Sequence, residues 1–492
     1  MIIFNRKKQN GSTLAFVLVI MTAVMIILVS MLSYITAQLK FSYSRVERDQ
    51  AFQIAEAGVY YYRWYLAHQI SGKTAQQIKD FWQTGNPYGV ASPYQADYFD
   101  PEGGKIGSYK IEVIPPDPNS TIVIVKSTGW TNKAPDLKRI IQVRFRRPAW
   151  SEYSVLANNF VRFGEGTEVF GEIHSNEGIR FDGSAHNIVS SSVASYDDPD
   201  HTGGLEFGVH THVNVPPATG VNDTFRSAEA PPNPVPLRND VFLGGRQFPT
   251  PTIDFNGVVS DLSYMKTESQ ISGQGLYFDN NKSTANCNIA TKNNYGRHII
   301  LKSDGTMIVS IVTNYDTTTN SIKSETCTKT LTIPNNGIIF VENNLWLEGI
   351  INSEKITLVA ADLLGGSAKN VYLGMNNLLY TNFDGRDIIG VIAQNNVEII
   401  KNSQNYLTLD GAFLAQLGRV GRADYGTSDY KNTITVNGSI ATNLRYGFSW
   451  TNGYQSWGYV NRILNFDNNL LYYPPPYFPT GTEYAIDLWD EK

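Results

Sequence analysis

From Gly11 to Leu39 the chain reads GSTLAFVLVIMTAVMIILVSMLSYITAQL, without a single charged residue. A helix needs about 20 apolar residues to cross the hydrocarbon core of a bilayer, and this run is longer. Arg6, Lys7 and Lys8 precede it; Lys40, Arg45, Glu47, Arg48 and Asp49 follow it. The basic cluster on the short side predicts that residues 6–8 stay in the cytoplasm and that the rest of the chain lies outside. The run is too long for the apolar core of a cleaved secretory signal, and no small-x-small site follows it. No proline occurs before Pro87 and no glycine between Gly11 and Gly58. One unbroken helix is therefore expected from about Ser12 to about Gln69, far longer than a membrane requires. It must project from the bilayer and pack against something.

Beyond this run, 492 residues suffice for two or three domains. Charged residues make up 17%, a low share that with abundant Gly, Asn, Thr, Ser and Tyr suits an all-β extracytoplasmic protein. The net charge of −5 leaves no electrostatic footprint for nucleic acid. The one basic stretch, KRIIQVRFRR at 138–147, alternates with apolar residues and reads as a strand with a solvated face. Cys287 and Cys327 are the only cysteines. Outside the membrane they can form a disulfide; the alternative is two unpaired thiols.

Two stretches of the first 70 residues carry a resemblance. KKQNG, followed by Ser12-Thr13 and the apolar helix, looks like the class III leader of type IV pilins. RDQAFQIAEAGVYYYRWYL resembles the AFQAAEAG stretch of PilX-type minor pilins, through Ala51, Phe52, Ala55, Glu56, Ala57 and Gly58. The resemblance implies cleavage by a prepilin peptidase between Gly11 and Ser12, retention of the helix as a filament spine, and other pilin subunits as partners. Major pilins carry a glutamate five residues after the cleavage point, whereas this chain has Phe16. Pseudopilins of the K type, which also lack it, sit at the tip, so a tip or priming position is implied. The chain then divides into a leader (1–11), a membrane-spanning part of the helix (12–39), a pilin-like α/β segment (40–148) and a head (149–492).

Within 40–148, TAQQIKDFWQ at 74–83 predicts a short helix. GSYKIEVI, STIVIVKSTGW and KRIIQVRF predict an antiparallel three-stranded meander lying on the spine helix. After Trp150 the pattern changes to short apolar strands with Gly and Asn turns. A recurring element appears as VFGEIHSNEGIRF (169–181), LEGIINSEKITLV (347–359), IIGVIAQNNVEII (388–400), LDGAFLAQLGRVG (409–421) and VNGSIATNLRYG (436–447). Repeats of about 20–30 residues predict a right-handed parallel β-helix. Ile173, Ile351, Ile392, Phe413 and Ile440 are expected to face inward, with Gly171, Gly349, Gly390, Gly411 and Gly438 at corners of positive φ. Residues 195–252 read as a long loop or an excursion around the solenoid, and 280–333 as a candidate β-insertion. The aromatic, proline-rich C-terminus is expected to cover the open end of the solenoid.

The expected fold is thus mainly β with a long N-terminal α-helix. Parallel β-helices can host glycan chemistry, but Glu172, Glu177, Glu354, Asp387, Glu398 and Asp410 occupy different repeat positions and read as solvated faces. No nucleotide-binding, hydrolase or zinc-protease motif occurs, and neither catalysis nor a cofactor is expected. His201, His210 and His212, in DDPDHTGGLEFGVHTHV with Asp197, Asp198 and Asp200, are weak candidates for a Zn²⁺ site, and YDDPD for Ca²⁺. The chain is expected to be a single-pass inner-membrane protein, N-terminus in the cytoplasm, reaching the cell surface or a pilus and presenting its head to a surface ligand such as a glycan. The alternative is a membrane-anchored glycan-binding or glycan-cleaving protein with no filament.

Overall fold

The computed structural model describes residues 12–117, 120–213, 225–255, 258–281, 283–284, 287–288, 292–452, 455–481 and 483–492. The expected leader, Gly11 included, lies outside the described residues.

Helix α1 spans Ser12–Ile70 without interruption. Its first half stands free: the apolar side chains from Leu14 to Leu39 that would face lipid are exposed. This is one helix long and apolar enough to cross a membrane. In the second half, Ala51, Ile54, Ala55, Gly58, Val59, Tyr62, Leu66 and Ile70 are buried. Their spacing of three and four places them on one helical face. That face lies on an antiparallel sheet of β1 (Tyr94–Phe99), β2 (Lys105–Ile114), β3 (Ile122–Thr131) and β4 (Arg139–Arg146). Ile111, Val113, Val123, Val125, Ile141, Val143 and Phe145 complete the core against it. Helix α2 (Ala75–Gln83) begins at a capping box in which Thr74 and Gln77 satisfy each other's backbone amides.

The predicted meander is therefore real but too small. β1 precedes the three predicted strands and pairs antiparallel with the first of them, β2. A fifth strand, Ala485–Glu491, returns from the C-terminus to pair antiparallel with β4. Two of the four arginines of 138–147 answer to it, Arg139 pairing with Glu491 and Arg144 with Asp487 at 2.5 Å, while Arg146 pairs with Glu152 and Arg147 donates to Thr480 Oγ1.

The rest of the chain is a large β-rich domain with mostly parallel pairing. One continuous stack runs Leu276–Phe278, Ile338–Val341, Lys355–Ala360, Ile388–Ala393, Tyr406–Ala415, Tyr430–Thr442, Val155–Ala157, Ile173–Ser175, Val189–Ser191 and Arg246–Gln247. Spatial order thus departs from chain order. The head begins in the middle of its own stack at Val155, builds to one end, and crosses by α3 (Val258–Ser269) to the other. It then returns until Ile440 pairs with Val155. Stacked asparagines bridge this junction: Asn158 donates to Asn443 Oδ1 and Asn176 donates to Asn158 Oδ1, both at 2.8 Å.

The inward column reads Ile339, Leu358, Val391, Phe413, Ile440, Val155, Ile173 and Val189, all in one core. Phe413, Ile440 and Ile173 sit as expected, and Ile351 enters the same core from a neighbouring strand. Ile392 does not. The register puts Val391 inside, and a one-residue step turns a strand side chain to the other face. Ile392 packs outward with Phe340, Leu414 and Phe478. Among the repeat glycines, Gly349, Gly411 and Gly438 have positive φ. Gly411 and Gly438 are register partners where two long strands bend together. Gly171 and Gly390 instead make room: a Cβ would stand 2.5 Å from Phe466 Cβ at the first and 2.6 Å from Pro475 Cβ at the second.

Three further expectations are corrected. Residues 195–252 are not simply a loop, since Val209–His210 pairs in parallel with Ile179–Phe181 and Arg246–Gln247 closes the long stack. The insertion at 280–333 is partly stack as well. Gly296–Leu301 pairs in parallel with Asn344–Ile351, and only Thr306–Tyr315 and Ile322–Thr332 are added antiparallel. The C-terminal aromatic stretch lies along a flank of the stack rather than over an end, with Pro476 O accepting from Thr357 Oγ1 and Phe478 buried beside Ile388. Cys327 is disulfide-bonded; the side chain of Cys287, the other half of the expected bridge, lies outside the described residues.

Candidate functional site

Among the described residues, two places stand out as candidate sites. The first is the packed half of α1. Ala51, Ala55 and Gly58 are small where the helix backbone meets the sheet. A Cβ on Gly58 would stand 3.0 Å from the Tyr109 ring, and one on Gly129 of β3 would stand 2.9 Å from Ala55 Cα. Phe52 is half-buried with the Arg139 guanidinium 5.9 Å from its ring centre, and Glu56 is half-buried. Ser12 and Phe16 are exposed on the free half, and no contact joins them to the Ala51–Gly58 face.

The second is a buried polar cluster at one end of the parallel stack. Ser195–Tyr196 and Glu206–Phe207 form a short antiparallel pair, and Val209–His210 lies parallel to Ile179–Arg180. Because side chains alternate along a strand, His210 and His212 point the same way, toward Glu206. Asp198 and His201 enter from the preceding turn. One ligand-type atom from each of Asp198, His201, Glu206, His210 and His212 lies within 4.8 Å of every other. Glu206 Oε2 is 2.8 Å from His201 Nε2, 3.2 Å from His210 Nε2 and 3.3 Å from His212 Nε2. Asp198 Oδ2 is 3.5 Å from His201 Nε2 and 3.6 Å from His210 Nε2. All five side chains are sealed from solvent, none more than 1% exposed.

The surroundings hold these groups in place. His210 Nδ1 donates to Phe207 O at 3.2 Å, which leaves Nε2 as the atom facing the cluster. Asp198 Oδ1 accepts from the Asp200 amide and Glu206 Oε1 from the Arg226 amide. Burial works to raise the Asp198 carboxyl, but His210, the Asp200 amide and Arg180 outweigh it and hold it well below the usual range. Burial likewise opposes ionisation of Glu206, and His212 and His210 lower it.

The three histidines singled out in the sequence are thus brought together. Of the nearby aspartates only Asp198 joins them. Asp197 is exposed, and Asp200 is bound by Arg445 at 2.7 and 2.6 Å and by Arg162 at 3.1 Å. Glu206 was missed, although it lies four residues before His210 in the same motif. Of the six repeat carboxylates, Glu172 and Glu177 are exposed and Glu354 is half-buried, but the other three are not solvated. Asp387 accepts from the amides of Ser353, Thr381 and Asn382, Asp410 accepts from Tyr380 N, and both are buried, as is Glu398.

Beside the cluster a cleft of about 530 Å³ is lined by Arg162, Asp182, Asp200, His212, Arg445 and Trp450, among others. Asp182 is held by Arg180 Nε at 2.7 Å and by the His212 amide at 2.8 Å.

No family model and no curated protein matches the chain. A solved structure, the competence-associated pilin ComZ from Thermus thermophilus, aligns over 91% of this chain and 97% of that one, at 14% identity and a TM-score of 0.29.

Proposed function

We propose that this chain is a non-catalytic, pilin-like subunit of a type IV pilus or related pseudopilus, anchored by α1 in the inner membrane before assembly. The observation that carries the reading is the division of α1. One continuous helix is unpartnered and apolar over its first half and buries the Ala51–Gly58 face on an antiparallel sheet over its second. A bilayer can cover the free half before assembly, and neighbouring copies of such helices can cover it in a filament. Small residues favour close helix approach in both settings.

In this reading the parallel stack is a β-helical head carried outside the membrane for adhesion or surface interaction, and Phe16 in place of a carboxylate favours a tip or priming position. The bound state of Asp182 and Asp200 in the cleft speaks against the glycan-cleaving alternative, which needs two free carboxyl groups across a sugar. The head is read as recognising rather than cutting. The test is processing in the native host. The wild-type chain is expected to run shorter than Gly11→Ala on denaturing gels and to enter the sheared filament fraction, with Gly11→Ala retained in the membrane. Equal mobility and equal recovery in filaments would remove the processing claim.

A further inference from the structure

The five-residue cluster does something the filament reading does not ask for. Three imidazole Nε2 atoms face one carboxylate oxygen, Glu206 Oε2, at 2.8, 3.2 and 3.3 Å. That oxygen has two lone pairs, so it cannot accept three good hydrogen bonds in plane. His210 has already placed an N–H on Phe207 O, so in its neutral form its Nε2 presents a lone pair to Glu206 and to Asp198. Neither His210 Nε2 nor Asp198 Oδ2 has a hydrogen-bond partner among the described residues, and both are fully buried. Lone pairs converging in a dry interior repel one another unless a cation lies between them.

We infer that Asp198, His201, Glu206, His210 and His212 form a closed site for one divalent transition-metal ion of the Zn²⁺ class. The donor set is three imidazole nitrogens and two carboxylate oxygens, which suits borderline ions rather than Ca²⁺ or Mg²⁺. A mutual spacing of up to 4.8 Å matches ligands about 2.0–2.2 Å from a common centre after small adjustments. The two carboxylates balance the ion's charge. Phe207 O, the Asp200 amide and the Arg226 amide hold the ligands from outside, as supporting groups do in metal sites.

The site is structural rather than catalytic. Its side chains are sealed and five donors fill the sphere, whereas a catalytic zinc keeps a position open to water. Its task is to fasten 195–212 to the stack. Few apolar side chains of that segment are buried, Phe207 and Val209 chief among them, so the polar cluster must supply much of the anchoring. The inference stands independently of the filament reading.

The full-length protein in detergent is stripped with chelator, incubated with Zn²⁺, freed of excess ion and analysed for bound metal. One equivalent per chain is expected. Glu206→Gln and His210→Ala should each hold less than about a tenth of that, while His68→Ala, altered at an exposed histidine of α1, should bind like wild type. Removing the ion should lower the wild-type melting temperature by about 5 °C or more, and readdition should restore it. Should the cluster variants fail to fold, Co²⁺ loaded into the wild-type chain decides, because imidazole-nitrogen ligation gives characteristic visible bands. A wild-type chain that retains no metal, a His68→Ala chain that loses as much metal as the cluster variants, or wild-type melting blind to both chelator and Zn²⁺ would overturn the proposal. The cluster would then be held by protons and Arg180 alone.

Discussion

Glu398 is a carboxyl placed where its charge is unwelcome. It sits between Tyr372 and Gly421 in adjacent parallel strands, 6% exposed, and its Oε1 has no hydrogen-bond partner among the described residues. Burial pushes it up to about 7, against the lowering influence of Arg419 and Arg422. A carboxyl raised in the fold binds its proton more tightly there than in the unfolded chain. The folded state is therefore favoured below the ordinary value of 4.5, and that advantage is lost as pH rises toward 7. Glu398→Gln is expected to flatten the pH dependence of stability between about 4.5 and 7 and to stabilise the protein above that range by up to about 3 kcal/mol. Urea midpoints of both chains across this interval check it; parallel curves would show that Glu398 ionises freely.

At the scale of elements, two glycines set how closely α1 approaches its sheet, and they should not behave alike. A Cβ on Gly58 meets the Ser127 hydroxyl and the Tyr109 ring, side-chain atoms that can move. Alanine also favours a helix over glycine by about 1 kcal/mol. A Cβ on Gly129 of β3 meets the backbone of Ala51 and Ala55, which cannot move without lifting the helix. Gly58→Ala is therefore expected to lie within about 1 kcal/mol of wild type, and Gly129→Ala to cost about 2 kcal/mol or more. Thermal unfolding of the full-length chain ranks them; the reverse order would mean that the helix is not held at this contact.

Over the whole molecule, the C-terminus closes a loop through the structure. After running along the flank of the parallel stack it ends as Ala485–Glu491 on β4. Tyr484, buried in the core of the α1 layer, accepts from Trp82 Nε1 at 3.3 Å. Nearby, Lys79 of α2 pairs with buried Glu268 of α3 at 2.8 Å, and Glu268 also accepts from Tyr477 OH. Removing residues 485–492 would leave β4 as an open edge, a template for unwanted pairing. The truncated chain is expected to be cleaved by trypsin within 138–147 at protease levels the intact protein survives, and to aggregate at lower protein concentration. Equal protection would show that the last strand is dispensable.

Much of this was legible in the residues. The charge-free run and the missing helix breakers determined α1 to within a residue of its observed end, because helix continuation is a local property. Alternation and β-branched runs gave β2, β3 and β4, while Ala51–Gly58 stood out only through its resemblance to a minor-pilin stretch. The recurring Gly and Ile elements announced parallel strands, since each repeat needs the next to cover its apolar side. What they could not supply was partnership. That Ile440 lies beside Val155, that Ala485–Glu491 returns to β4, and that Val391 rather than Ile392 faces inward depend on register between strands far apart in sequence. The buried polar cluster falls between these cases. His201, His210 and His212 were visible as a motif, but only folding of 195–212 onto Ile179–Arg180 selects Asp198 over Asp197 and Asp200 and brings in Glu206. The sequence by itself determined the long apolar helix and the strand-forming character of the β-rich domain. The tertiary structure alone decided which strands are neighbours and which polar groups are driven together in the dry interior, because those outcomes are set by contacts between segments that the chain order does not place side by side.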